Sequence, residues 1–362
     1  MSRVSRANGR ERSEEALPGT GNVPGFAVEA EIAGQYGAVS GIAVSPDGTR
    51  LMVTHYGNDG FSLIDTGHGA VAQTVVDVDE PFAVAVSDGP ERRAYISTAS
   101  AAYDSILTFD IDANRVIAAH PVAHSVTDLA VSPDGGHVYA SRTAVNGADV
   151  AILDTKTGRE DSIRIADAAG VAAECLRVSA DGRRLYVAAN GPFAAELVVI
   201  DTRFNRVVST IEIGSPIRDI ALSPNGATAY VGSCSPDFGA VLDVIDIRTN
   251  MIASTYKIGE IAGCLTQLAL SRDAQRVYLL GDNTVTVWST ATHDVIGSIV
   301  TAAHPSCATE SPDGRRLYIA DYAGTITALT VASADALTPD EIPTTPHQWA
   351  PSNLLGLEPI LA

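Results

Sequence analysis

Four cysteines in 362 residues, no long uninterrupted apolar run and no cluster of basic residues each remove a class of protein from consideration. Cys175, Cys234, Cys264 and Cys307 are too few to staple a chain of this length, so its stability has to come from a hydrophobic core. No apolar stretch approaches the ~18–20 residues that a membrane helix requires. The first residues, MSRVSRANGRERSEEALPGTG, carry Arg3, Arg6, Arg10 and Arg12 but not the apolar segment that follows the basic start of an export signal. The expectation is a soluble cytoplasmic protein without membrane insertion. Lys and Arg number 24 against 43 Asp and Glu, a formal net charge of −19. Phosphate backbones and anionic bilayers are held mainly by clustered cations, so this balance argues against nucleic acid as a partner. Nucleophile elbow, phosphate loop and dinucleotide fingerprint are all missing. HExxH and HxH spacings are missing too, and neither a metal nor another cofactor is expected.

What is present is repetition. One short segment recurs as GIAVSPDGTRLMVTH from Gly41, AVAVSDGPERRAYIST from Ala83, DLAVSPDGGHVYASR from Asp128 and CLRVSADGRRLYVAA from Cys175. It continues as DIALSPNGATAYVGS from Asp219, QLALSRDAQRVYLLG from Gln267 and CATESPDGRRLYIAD from Cys307. The serines of this unit are Ser45, Ser87, Ser132, Ser179, Ser223, Ser271 and Ser311, in steps of 42, 45, 47, 44, 48 and 40 residues. A period of about 40–50 residues with several short strands per unit is the signature of a β-propeller. Seven units predict an all-β, seven-bladed propeller with four-stranded antiparallel blades. The 46% hydrophobic content, mainly Val, Ile, Ala and Leu, suits strands covered on both faces.

The fifth unit shows how one blade is read. DIALS is an inner strand and PNGA a tight turn in which Gly226 and Asn225 tolerate left-handed backbone. TAYVGS, LDVIDIR and ASTYKIG then supply the second, third and outer strands. The seventh unit ends after its third strand, near Val331. FAVEAEIAGQYG, residues 26–37, is predicted to supply the missing outer strand and close the ring, because an unpaired edge would leave a row of backbone groups open. The organisation expected is an N-terminal segment 1–25, a propeller 26–331 and a Pro-rich tail 332–362. The tail carries Trp349 and an apolar stretch at 354–357, which suits packing back on the propeller or docking on a partner.

The pattern SPDG-x-x-LYV, followed by a third strand V-x-V-I-D-T, resembles the YVTN-type seven-bladed propellers, the group that includes the YncE-like proteins. Residues 45–48, 198–202 and 311–319 carry the resemblance best, and it covers roughly 26–331. No third strand ends in Trp-Asp, so the WD40 pattern does not fit. The closing asparagine of YVTN is replaced by His55, Thr98, Arg142, Ala189, Ser233, Gly281 and Asp321. The resemblance implies a rigid scaffold that binds something on one face.

Strand order decides which loops share a face. Loops entering each inner strand and loops leaving each second strand form one rim, the top; the SPDG and Asp-Thr turns form the bottom. Irregular loops on a rigid frame are where function resides. The candidate ligand-binding residues of this top funnel are His55, Arg142, Glu174, Arg177, Arg218, His304 and Asp321, with Tyr36 and His124 on the same rim. Such a set suits a small polar or anionic ligand, since Arg meets a carboxylate with two parallel donors; the plainer alternative is a solvated rim. Arg177 stands where sister blades have Ala43, Ala85, Ala130, Ala221 and Ala269, and Glu310 stands in a slot that is otherwise Val or Leu. Buried charges need partners, and inter-blade salt bridges, with Glu174 or Asp219 for example, are expected. Cys175 and Cys307 share a slot with Gly41 and Ala83 and read as small buried thiols. Cys234 and Cys264 lie on loops of neighbouring blades, and whether they pair stays open.

These observations point to a non-enzymatic binding or scaffold protein, expected as a monomer, that offers its top face to a protein partner or small ligand. The alternative is a propeller enzyme of lactonase, hydrolase or isomerase type with its site in the top central funnel. An enzyme calls for perturbed carboxylates or histidines around a central pocket, Glu174, Arg218, His304 and Asp321 first. A scaffold calls for a broad exposed apolar patch, for instance around Phe193 and Phe238.

Overall fold

Each copy of the repeat begins with an inner strand and its turn, and the turn chemistry explains why six of the seven copies turn alike, blade 2 using a Gly89 N–H to Ser87 Oγ bond instead. Ser45 Oγ accepts the Arg50 N–H at 2.9 Å and donates to Asp47 Oδ1 at 2.6 Å, while Asp47 accepts the Thr49 N–H at 3.1 Å. The hydroxyl thereby ties the end of one strand to the start of the next through contacts at most five residues apart. The same bond joins Ser132–Asp134, Ser179–Asp181, Ser271–Asp273 and Ser311–Asp313, and Ser223 makes it to Asn225. Gly48 sits at φ 72°, the left-handed conformation this turn demands, whereas blade 6 places Ala274 there at φ 57°.

The structure, a computed structural model, describes residues 25–332 except 34–36, 90, 101–102, 124 and 262. Tyr36, His124, the N-terminal segment and the tail with Trp349 and 354–357 therefore lie outside the described residues. Seven four-stranded antiparallel sheets stand in a ring. Blades 1 to 6 each use four consecutive strands, within 39–76, 81–122, 126–166, 172–213, 217–258 and 265–300. Inner strands of neighbouring blades pack side by side around a channel, and the inner strand of blade 7, Pro305–Glu310, meets that of blade 1, Val39–Val44.

Blade 7 has three strands within 305–331 and borrows its fourth. Phe26–Ala33 pairs antiparallel with Thr325–Val331, from Phe26 opposite Val331 to Ala33 opposite Thr325. Of the closing strand expected over 26–37, Phe26–Ala33 is described as strand. Glu29 takes two hydrogen bonds from Arg316, at 2.6 and 2.8 Å, and Arg316 also reaches the Thr66 carbonyl of blade 1 at 3.2 Å. Beginning and end of the ring are held together at the bottom, where the Ala332 N–H donates to Gly25 O at 2.8 Å.

The core lies between blades. At the seam of blades 5 and 6, Leu242 and Ile258 pack with Leu265, Leu268, Leu279 and Trp288, all buried. Fully burying a side chain of this size contributes roughly 1.5–3 kcal/mol. Seven such clusters are built mainly from strand residues, with a few loop residues such as Val78 and Ile261 joining them.

Candidate functional site: the channel and the top face

Arg177 projects from the inner strand of blade 4, Ala172–Val178, toward the channel. Its Nη1 donates to Asp128 Oδ2 at 2.6 Å and to the Leu176 carbonyl at 2.7 Å; its Nη2 donates to Asp219 Oδ1 at 2.6 Å. One guanidinium thus bridges blades 3 and 5. The expected partner Asp219 is there, Asp128 is a second, and Glu174 takes no part in the bridge. Burial works against the charge of Arg177, but Asp219 and Asp128 outweigh it and raise its pKa. Burial also raises the Asp219 pKa, against the pull of Arg177.

Both carboxylates have a second task. Asp128 accepts the Leu129 N–H at 2.9 Å and the Leu176 N–H of the next blade at 3.0 Å. Asp219 accepts the Ile220 N–H at 2.7 Å and the Leu268 N–H of the next blade at 3.2 Å. Gln267 repeats the device, taking the Ala308 N–H of blade 7 at 2.7 Å. Each of these acceptors stands four residues before a repeat serine, and each latches its blade to the following one. Asp128 and Gln267 were not among the candidates read from sequence, although both occupy the column that holds Gly41, Ala83, Cys175 and Cys307.

The channel encloses about 490 Å³. Its polar lining includes Ser40, Thr127, Asp128, Arg177, Gln267 and Glu310. Glu310 is not held by the salt bridge expected from sequence. Tyr278 OH donates to its Oε1 at 2.6 Å and the Arg272 N–H to its Oε2 at 2.7 Å. Burial pushes its pKa up, and these two hydrogen bonds counter only part of that.

Among the seven candidate residues, Arg177 lines this cavity and the other six do not. His55, Arg142 and Asp321 are buried within their own blades. His55 Nε2 lies 2.9 Å from Ser62 Oγ, and burial lowers its pKa. Arg142 grips Asp149 at 2.8 and 3.0 Å and Glu160 at 2.7 Å. Asp321 Oδ1 accepts the Thr325 N–H at 2.8 Å and shapes its turn. Glu174 is half-buried, whereas Arg218 and His304 are exposed on the rim, His304 edge-on to Tyr322 with ring centres 6.2 Å apart. Among the described residues, no group of three or more His, Cys, Asp or Glu is placed to hold a metal ion.

The top face has a more regular feature. In six of the seven blades, the loop leaving the second strand presents a large apolar side chain: Tyr56, Tyr103, Val145, Phe193, Phe238 and Tyr322. All are at least 51% exposed, and Phe193 is 100% exposed. Between them the top loops carry Asp59, Asp77, Asp79, Glu80, Asp167, Asp237, Glu260 and Asp282, and no Lys or Arg. Arg218 and Lys257 lie at neighbouring strand ends, and Arg164 is paired with Asp167. Arginine collects at the opposite end, with Arg92, Arg183, Arg203, Arg248, Arg272 and Arg315 all in bottom turns. The top loops are thus apolar and acidic, whereas the bottom turns carry arginines alongside the aspartates of the SPDG turns.

Ring closure, four-stranded blades and a latched central channel define a seven-bladed β-propeller. Over 363 residues the chain is 45% identical to the seven-bladed beta-propeller protein Rv1057 of Mycobacterium tuberculosis (strain ATCC 25618 / H37Rv), covering 91% of this chain and 92% of that protein, and it belongs to that family. Among solved structures it is similar to Kuenenia stuttgartiensis hydrazine synthase, with a TM-score of 0.73 and 18% identity over 82% of this chain and 97% of that one. At that identity the likeness is one of fold alone. No family model matches the chain.

Proposed function

We propose that this propeller is a non-enzymatic scaffold that docks a protein partner on its top face, the partner offering apolar side chains set among basic ones. The observation that carries this reading is the set of exposed apolar residues in the equivalent loops of six blades. Aromatic side chains clustered on a rigid surface are the common anchors of protein interfaces. The acidic loops around them favour a basic partner and speed its approach. Within propellers, the SPDG-x-x-LYV pattern supports a place among the YVTN-type repeats.

The channel favours a second reading, a small polar ligand at Arg177, because about 490 Å³ lies in the size range of small-molecule sites, roughly 300–1,000 Å³. A lactonase, hydrolase or isomerase would need a group free to move a proton. Asp128, Asp219 and Glu310 are engaged by Arg177, Tyr278 and backbone amides, and for that reason binding is preferred to catalysis.

A photo-crosslinking side chain placed at Phe193 or Phe238, and for comparison at Phe204 on the bottom, tests the reading in the native host. Expected are cross-links to one basic partner from the top positions, lost with Tyr322→Ser and weakened by salt. Cross-links from Phe204 only, or capture insensitive to Tyr322→Ser and to salt, overturn it. A small molecule released from the natively purified protein only on unfolding would shift support to the channel.

A further inference from the structure

The four thiols fall into two kinds. Cys175 and Cys307 are buried on inner strands of blades 4 and 7, and burial pushes Cys307 up to about 12 and raises Cys175 well above the ordinary thiol range. Thiols kept protonated in this way are poor nucleophiles. Cys234 and Cys264 are placed differently. Cys234 lies buried near the top of the second strand of blade 5, Thr228–Ser235. Cys264 is exposed in the loop that enters the inner strand of blade 6, Leu265–Leu270.

The fold holds these two against each other across the seam. Cys234 Sγ approaches the Gly263 carbonyl, one residue before Cys264, to 3.7 Å, and its pKa is raised by burial first and by the neighbouring Cys264 thiol second, so that Cys264 is the thiol open to attack. Cys234 N–H is tied to Pro216 O at 3.0 Å. The loop bearing Cys264 is pinned by the Gly263 N–H on Asp282 Oδ2 at 2.9 Å. Gly263 fits so closely there that a Cβ would come within 2.2 Å of Asp282 Oδ1. Ile261 and Leu265 on either side are buried in the seam between blades 5 and 6. Cys234 and the backbone next to Cys264 are thus each held by contacts other than a disulfide.

We infer that Cys234 and Cys264 are an oxidation site that closes to an inter-blade disulfide when the protein meets a peroxide. Cys264, open to solvent, attacks one peroxide oxygen as the thiolate; the O–O bond breaks, water leaves and a sulfenic acid remains on Cys264. Cys234 then attacks that sulfur, the S–O bond breaks, and the hydroxyl leaves as a second water after taking up the Cys234 proton. Two thiols and one hydrogen peroxide give one disulfide and two waters. A dithiol reductant reverses the link. The inference stands apart from the partner reading, since it needs only the two thiols and an oxidant.

The reduced full-length protein is treated with hydrogen peroxide, alkylated under denaturing conditions and digested without reduction for mass spectrometry. The peptide pair joining Cys234 to Cys264 is expected as the dominant oxidation product, removed by dithiothreitol, while Cys175 and Cys307 stay alkylated. Cys264→Ser, an exposed change, should leave Cys234 alkylated after the same treatment. Two results overturn the proposal: Cys264 carried to sulfinic acid while Cys234 stays a thiol, or Cys264 joined to a second copy of the chain.

Discussion

Tyr278 donates its hydroxyl hydrogen to Glu310 at 2.6 Å across the seam between blades 6 and 7. The pair replaces what the other blades do with apolar packing, and it gives the fold a titratable joint. Burial raises the Glu310 pKa above the ordinary carboxylate range. A carboxyl whose folded pKa is raised binds its proton more tightly when folded. Its contribution is present in full below the unfolded pKa and is lost as pH rises through the folded one. The wild type should therefore lose stability relative to Glu310→Gln over that window, by at most about 1.4 kcal/mol per pH unit. Urea unfolding of both proteins from about pH 4 to 8 reads the difference; parallel curves would show that Glu310 does not titrate with folding.

Replacing Arg177 by Met should leave Asp128 and Asp219 facing each other with no cation between them. Breaking a buried charge cluster from one side costs about 3–5 kcal/mol; the partial exposure of Arg177 and Asp128 places the expected loss at the lower end. Adding Asp219→Asn should restore part of it. A double variant as unstable as the single one would mean that the bridge serves packing rather than charge.

Removing residues 1–33 should open the edge of blade 7. The lost ladder bonds contribute only about 0.5–1.5 kcal/mol each, but a strand's worth rivals the stability of a whole domain. Aggregation on size exclusion and a marked fall in melting temperature are expected; an unchanged melt would refute closure by this strand. Arg316→Ala, which removes the partly exposed pair with Glu29 and the bond to the Thr66 carbonyl, should cost about 1–2 kcal/mol.

Ala274→Gly should stabilise the protein. The alanine holds φ 57° where the equivalent turns place glycine, and an L-residue is penalised there by about 1–2 kcal/mol. Part of that gain is offset by the greater freedom of glycine in the unfolded chain, so about 1 kcal/mol is expected from guanidinium unfolding.

Phe193→Ser and Phe238→Ser should leave stability within about 0.5 kcal/mol of wild type, because both side chains are exposed. A larger loss would mean that these rings are covered in the folded protein.

Much of the site was less legible than the fold. His55 and Asp321 end their second strands and Arg142 lies two residues before the end of its own, all in one column of the repeat, and from the chain alone they lie on the top rim. Successive side chains of a strand point to opposite faces: His55 and Asp321 face the packed interior while their loop neighbours Tyr56 and Tyr322 face solvent, and Arg142 is buried against Asp149 and Glu160. The acceptor column of Asp128, Asp219 and Gln267 was present in the alignment of the repeats. Its purpose was hidden because the amides it satisfies belong to the next blade.

The sequence by itself determined the number of blades, the strand order and the borrowed closing strand. The interactions that set them are local: a serine bonded to an aspartate or asparagine two residues on makes the turn in six blades, and an unfinished seventh unit leaves one edge to fill. The departure of Arg177 from an alanine column was visible in the same way. Only the tertiary structure decided its partners, because they lie 49 residues before it and 42 after it. It likewise decided the apolar, acidic top face and the meeting of Cys234 with Cys264. Those arrangements exist only once the ring has closed and brought loops of different blades onto one surface.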